Sequence, residues 1–318
     1  LLHLKAQAVW FDLAILNFFS SDFHKGYAMQ LTDIIISPTD LDVLTKQTKT
    51  VIIDTRDADS YQTGHIPNAV NLREIFTFLA TSDEQGIRDM KDTFKQKLGE
   101  AGICGEETVI FYEDALNNGF GQSCRGYFLL HWLGYPNIKV LNGGYQGYVA
   151  AGLPVSTENT VPTPAQFPDN LTENEVMADY KQVLTAVKDD TVLLDVRDVV
   201  EWIGESSSPY GVDFAPRKGR IPTSRWIEWY RFMKPSAQGA VMKTPSEVKA
   251  ECDSVGISKD DEIIIYCFKG ARASNTFLAL KQAGYDKLKI YFGSWNEWSR
   301  IDELPIEDGV NSDTRLSA

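Results

Sequence analysis

The sequence predicts an α/β protein of two domains, each a mostly parallel sheet flanked by helices. Three observations lead there. Short apolar runs such as Val192-Leu193-Leu194 and Ile263-Ile264-Ile265 alternate with helical stretches at 90–101 and 245–255, the order typical of parallel-sheet architectures. The chain has 318 residues, the length of two ordinary domains. And one ordered set of motifs occurs twice, which makes the halves copies of one unit.

The first copy opens with the strand Val51-Ile52-Ile53-Asp54-Thr55-Arg56 and the turn Gly64-His65-Ile66-Pro67. A central strand, Thr108-Val109-Ile110-Phe111-Tyr112, follows, then Leu133-Gly134-Tyr135 and the edge run Leu141-Asn142-Gly143-Gly144-Tyr145. The second copy repeats the series with Val192-Leu193-Leu194-Asp195-Val196-Arg197, Gly219-Arg220-Ile221-Pro222, Ile263-Ile264-Ile265-Tyr266, Ala283-Gly284-Tyr285 and Tyr291-Phe292-Gly293-Ser294-Trp295. The stretch 154–168 is rich in Pro, Thr and Ser with little apolar periodicity, and reads as a linker. The expected boundaries are an N-terminal extension at 1–35, a first domain at 36–156, a linker at 157–168 and a second domain at 169–318.

Composition narrows the function classes. With 43% hydrophobic and 24% charged residues the chain is an ordinary globular protein, and no apolar run reaches membrane-spanning length. A net charge of −13 argues against nucleic acid or an anionic membrane as partner. Cys104, Cys124, Cys252 and Cys267 are scattered without a CxxC, and His3, His24, His65 and His131 lack ligand spacing, so neither a metal nor a disulfide framework is expected. Residues 1–23 carry Lys5, Asp12 and Asp22 and lack the order of a secretory signal. A cytoplasmic location is expected; the periplasm is the alternative, had a signal been trimmed upstream.

The chemistry concentrates at Tyr266-Cys267-Phe268-Lys269-Gly270-Ala271-Arg272. This segment follows the apolar run 262–266 and precedes a helix read at 273–281. A strand–loop–helix join turns backbone N–H groups toward one point, at the positive end of the helix dipole. A thiol there is driven toward thiolate, helped by the cations Lys269 and Arg272. Gly270 allows a tight loop. Open parallel sheets bind ligands beyond the carboxyl ends of their strands, and Cys267 stands at such an end. A nucleophile in a cationic cradle, on an otherwise acidic protein, suggests a small anionic substrate.

These motifs resemble the rhodanese (thiosulfate sulfurtransferase) superfamily in its tandem form, over roughly residues 36–310. Asp54-Thr55-Arg56 with Gly64-His65-Ile66-Pro67-Asn68-Ala69 is similar to the family's N-terminal signature, and Gly293-Ser294-Trp295-Asn296-Glu297-Trp298 to its C-terminal one. The resemblance implies a persulfide mechanism. The Cys267 thiolate attacks the outer sulfur of thiosulfate, sulfite leaves, and the persulfide passes its sulfur to cyanide or a thiol, a thiol protein included. It implies no organic cofactor and no metal. It also implies a non-catalytic first domain, because Glu113 aligns with Cys267 and the stretch 113–119 holds no nucleophile.

The substrate contacts expected are Phe268, Lys269, Gly270, Ala271 and Arg272, joined by Arg197, Lys218 and Arg220. Asp195 is expected to pair within its own domain. In vertebrate-type relatives a second arginine stands four residues after the Asp-x-Arg arginine; here Glu201 does, so Lys218 or Arg220 is expected to supply the missing charge. Thiosulfate is favoured over 3-mercaptopyruvate because that sister group carries a less charged loop. A Cys-x5-Arg phosphatase fits less well, since the Cys267 to Arg272 loop is one residue shorter. A non-enzymatic sulfur-carrier or interaction role suits the first half better than the second.

Overall fold

A computed structural model describes residues 34–237 and 239–308; residues 1–33 of the expected N-terminal extension lie outside that range. In the first half, β1 (Ile35–Ile36), β2 (Thr50–Asp54), β3 (Val70–Asn71), β4 (Thr108–Tyr112) and β5 (Ile138–Leu141) form a sheet in the order β1-β5-β4-β2-β3. The second-half sheet is built from β6 (Met177–Ala178), β7 (Val192–Asp195), β8 (Arg225–Trp226), β11 (Ile263–Tyr266) and β12 (Leu288–Tyr291), in the order β6-β12-β11-β7-β8. Every pairing within both sheets is parallel. The strand orders correspond one to one, so the sequence repeat is a structural repeat. A hairpin of β9 (Met233–Ser236) and β10 (Gly239–Met242) stands apart from both.

Several of the helices begin where side chains can satisfy their first N–H groups. Helix α1 (Pro38–Gln47) starts with a Ser37/Asp40 capping box. After α2 (Ala58–Thr63) and α3 (Glu74–Thr77) comes α4 (Glu84–Glu100), which opens six residues earlier than periodicity suggests. Asp83 accepts the Gly86 N–H there, and the polar turns it starts carry no apolar stripe. Next are α5 (Gln122–Trp132), α6 (Gly144–Ala150), α7 (Tyr180–Ala186), α8 (Val199–Trp202), α9 (Pro245–Asp253), α10 (Ala271–Gln282) and α11 (Ser294–Trp298). No helix among the described residues is long and apolar enough to cross a membrane.

The two repeats share a core. Helices α5 and α10, each following its central strand, pack on one another; the Phe128 ring meets Phe277 edge-on at 5.1 Å and stacks on Phe292 at 5.6 Å. Close approach of the helix starts depends on Gly121, whose φ is 77° and whose added Cβ would sit 2.4 Å from the Ala271 carbonyl oxygen. A polar clasp lies beside this core. The Glu297 carboxylate accepts the Ser82 N–H and hydroxyl, both at 2.7 Å, and Ser82 Oγ accepts the Tyr180 N–H.

The halves differ where the second has an insertion. Gly64 follows α2 at once, whereas residues 203–218 intervene between α8 and Gly219 without a regular element. This segment brings Tyr210 onto Phe268, their ring centroids 4.9 Å apart.

Candidate active site

Strand β11 is buried along its whole length and delivers Cys267 at its carboxyl end. The turn is short: residues 267–270 alone join β11 to α10, and Gly270 caps the helix with a φ of 87°. No side chain caps α10. The Gly270 N–H instead points at Cys267 Sγ, 3.2 Å away, the geometry that favours negative charge on sulfur. The helix starts at Ala271, two residues before the periodicity reading, because the left-handed Gly270 turns the chain directly into it.

The last signature motif holds the loop from behind. Trp295 N–H donates to the Cys267 carbonyl at 3.0 Å and Asn296 N–H to that of Phe268 at 2.9 Å. Ser294, in the left-handed region at φ 54°, accepts the Cys267 N–H on its hydroxyl and donates that hydroxyl to the Tyr291 carbonyl. In the first half Tyr145 and Gln146 bind the carbonyls of Glu113 and Asp114 in the same way.

Cys267 opens onto a cavity of about 250 Å³ lined by Phe76, Phe120, Pro209, Tyr210, Phe268, Lys269, Ala271 and Arg272. Its two loop cations differ. The Lys269 ammonium lies 3.8 Å from the Phe76 ring centroid and 4.8 Å from that of Tyr210, a cation–π seat. Burial, with the Arg125 guanidinium nearby, pulls it down to about 7. Arg272 is engaged by Glu201, Nη1 to Oε2 at 2.6 Å and Nη2 to Oε1 at 3.1 Å, and by Asp198 at 3.2 Å. Burial would lower Arg272, but Glu201 outweighs it and the guanidinium lies above its ordinary value.

Arg197, Lys218 and Arg220, the other expected contacts, do not line this cavity. Arg197 is locked onto Asp195 by Nε and Nη2, binds the Gly219 carbonyl and stacks over Trp295. Arg56 repeats this arrangement with Asp54, the Gly64 carbonyl and Tyr145, so the Asp-x-Arg signature ties the strand end to the following turn in both repeats. Lys218 is exposed and donates to the Glu205 carbonyl. Arg220 stacks on Trp202 and pairs with Glu307. The second position of the Gly-x-Ile-Pro turn forms an isolated antiparallel bridge in both repeats, His65 with Ser156 and Arg220 with Glu307. Neighbouring Arg217 binds the carbonyls of Trp298, Ser299 and Leu304.

At the corresponding place in the first half, residues 113–121 form a longer join, and Glu113 is fully buried with Oε1 unpartnered. Burial lifts its carboxyl to about 8. This half nonetheless contributes to the cavity. Phe76 and Phe120 form part of the wall, and the buried Arg125 donates to the carbonyls of Phe76 and Phe78. The sequence reading missed Phe76, Phe120, Tyr210 and Arg125. Only Arg125 left a signal, as a fixed cation in the otherwise apolar stretch 124–133.

Comparison with known proteins matches the rhodanese-like domain family twice, at residues 37–151 and 179–301. The thiosulfate sulfurtransferase of Azotobacter vinelandii is 29% identical over 276 residues, 86% of this chain and 97% of the relative. The sulfur carrier protein TtuD of Thermus thermophilus is 30% identical over 258 residues, 78% of this chain and 87% of the relative. Among solved structures, the anaerobic ergothioneine biosynthesis enzyme of Chlorobium limicola has a like fold, with TM-score 0.74 and 24% identity over 87% of this chain and 70% of that one.

Proposed function

The chain belongs to the rhodanese family, as a tandem of two rhodanese-like domains, and from that premise we propose that it is a sulfurtransferase working through a Cys267 persulfide with thiosulfate as donor. The observation that carries the proposal is the Gly270 N–H aimed at Cys267 Sγ on the floor of an otherwise largely apolar cavity. The thiolate attacks the sulfane sulfur of thiosulfate; the S–S bond of the donor breaks, its electron pair leaves with sulfite, and the persulfide anion remains. An acceptor such as cyanide or a thiolate then attacks the outer sulfur and restores the Cys267 thiolate. The Gly270 N–H that holds the thiolate also faces the persulfide, so negative charge stays in one prepared place throughout. No proton has to move in either half-reaction once the thiol is ionised.

A specific observation favours 3-mercaptopyruvate as a second reading. With Arg272 engaged by Glu201 and Asp198, Lys269 is the one loop cation facing the cavity without a carboxylate, which suits a monoanion as well as a dianion. The test is intact mass with peptide mapping after incubation with each donor. One added sulfur on Cys267 from thiosulfate, removed by cyanide and absent in Cys267→Ser, is the expected result. An adduct from 3-mercaptopyruvate alone transfers the assignment to that donor. No adduct from either overturns the sulfurtransferase reading.

A further inference from the structure

Arg125 sits in α5 of the first domain with its side chain wholly buried. Nη1 donates to the Phe76 carbonyl at 2.9 Å and Nη2 to the Phe78 carbonyl at 2.7 Å, while Nε has no hydrogen-bond partner. Among the described residues no carboxylate pairs with it; burial pulls it down to about 10, and Cys267 and Tyr210 act in the opposite direction. An isolated buried cation is costly. Two carbonyls do not require one, since a neutral amide can also donate to a carbonyl.

Its position explains the charge. The guanidinium lies over the Phe292 ring, 4.7 Å from the centroid, and the same ring packs on Gly270, where an added Cβ would meet it at 2.8 Å. Gly270 in turn gives its N–H to Cys267 Sγ. One aromatic ring therefore separates the Arg125 charge from the glycine that touches the nucleophile. By the repeat, Arg125 stands where α10 has Ser274, a residue that only bonds back to the Gly270 carbonyl. The surroundings are charged on several sides. Lys269 is seated on Phe76 and Tyr210, Arg272 is held by Glu201 and Asp198, and Arg73 is bonded to the Thr55 carbonyl and Gln122.

We infer that Arg125 is a positioning residue lent by the first domain: a buried fixed charge that acts on Cys267 through the Phe292 wall and stabilises the anionic sulfur there. In an interior of low dielectric such a charge acts over a longer range than in water. The first domain then does more than wall the cavity, because it supplies the counter-charge to the nucleophile of the second. The persulfide part of this inference rests on the sulfurtransferase reading; the thiolate part does not.

The test therefore avoids sulfur transfer. Iodoacetamide alkylation of Cys267, followed by peptide mapping, is timed near neutral pH and again at about pH 10, above the ordinary range of a free thiol. Arg125→Gln should slow the neutral reaction about tenfold while leaving the alkaline rate within about twofold, and Arg125→Lys should restore most of the neutral rate. Equal rates for wild type and a folded Arg125→Gln at both pH values would overturn the inference. So would equal slowing at both, which marks a merely structural role. Should Arg125→Gln not fold, Arg125→Lys decides: neutral reactivity near wild type supports the inference, and a tenfold loss despite the retained charge overturns it.

Discussion

Arg272 and Glu201 form a buried two-point ion pair, with Nη1–Oε2 at 2.6 Å and Nη2–Oε1 at 3.1 Å. The acidic residue that occupies the place of an expected arginine thus engages the loop's own arginine, and the two sequence peculiarities explain each other. The loop's charge toward a donor falls largely to Lys269.

This division predicts different consequences for the two cations. Arg272→Met leaves Glu201 buried without its partner, and breaking such a pair costs about 3–5 kcal/mol; urea unfolding should show a loss of that order. The apparent KM for thiosulfate in the folded fraction should change less than about threefold. Lys269→Met should raise that KM about tenfold with little loss of stability, since it removes a charge that burial opposes. Equal KM effects for the two variants would mean that the Arg272 charge reaches the donor after all.

The Lys269 value of about 7 predicts a pH dependence of donor binding. Below that pH the ammonium is charged and draws an anion; above it the amine is neutral. The apparent KM for thiosulfate should therefore rise as pH increases through 7, and Lys269→Met should remove this rise. Steady-state kinetics between about pH 6 and 8.5 decides it. A KM that falls over this range would assign the titration to another group.

Much of this was legible in the sequence because it is local. The repeat fixes which strands correspond, and Cys267, Lys269 and Gly270 lie within one turn of each other. What could not be read was contact between distant segments. Arg197 has the same one-letter appearance as a substrate arginine, yet its Nε and Nη2 are taken up by Asp195 and by the Gly219 carbonyl 22 residues on. The second position of the second Gly-x-Ile-Pro, Arg220, bridges to Glu307, which returns from far along the chain. Phe76 and Phe120 reach the cavity only because α5 and α10 pack together, and no local pattern in the first half announces that.

Glu113 predicts a stability signature of its own. Its carboxyl moves from an ordinary 4.5 to about 8 in the folded protein, chiefly by burial. Between those values the folded chain keeps a proton that the unfolded chain has released, so this group makes stability fall as pH rises through that window and level off above 8. Glu113→Gln keeps the shape without the proton. It should leave the melting temperature near pH 4.5 unchanged and raise stability at pH 8 by up to about 4 kcal/mol. A variant no more stable than wild type at pH 8 would show that water or a rearranged loop already solvates the carboxylate.

The contact between helix starts makes the last prediction, and it separates backbone strain from damage to the site. Gly121 and Gly152 both have positive φ, 77° and 71°. An alanine pays the left-handed penalty at either, about 1–2 kcal/mol. At Gly152 nothing lies within 4 Å of the added Cβ, whereas at Gly121 it meets the Ala271 carbonyl oxygen at 2.4 Å and the Asn275 Cβ at 3.1 Å. Ala271 is the first residue of α10 and directly follows the Gly270 whose N–H is on Cys267 Sγ. Relief of the clash must therefore move the helix start that aims this N–H. Gly121→Ala should lower kcat/KM for sulfur transfer at least tenfold, beyond its stability cost, while Gly152→Ala should lose stability alone. Both variants need activity measured at a temperature where circular dichroism shows them folded. If they retain equal activity there, the α5–α10 contact serves the fold without setting the geometry of the nucleophile.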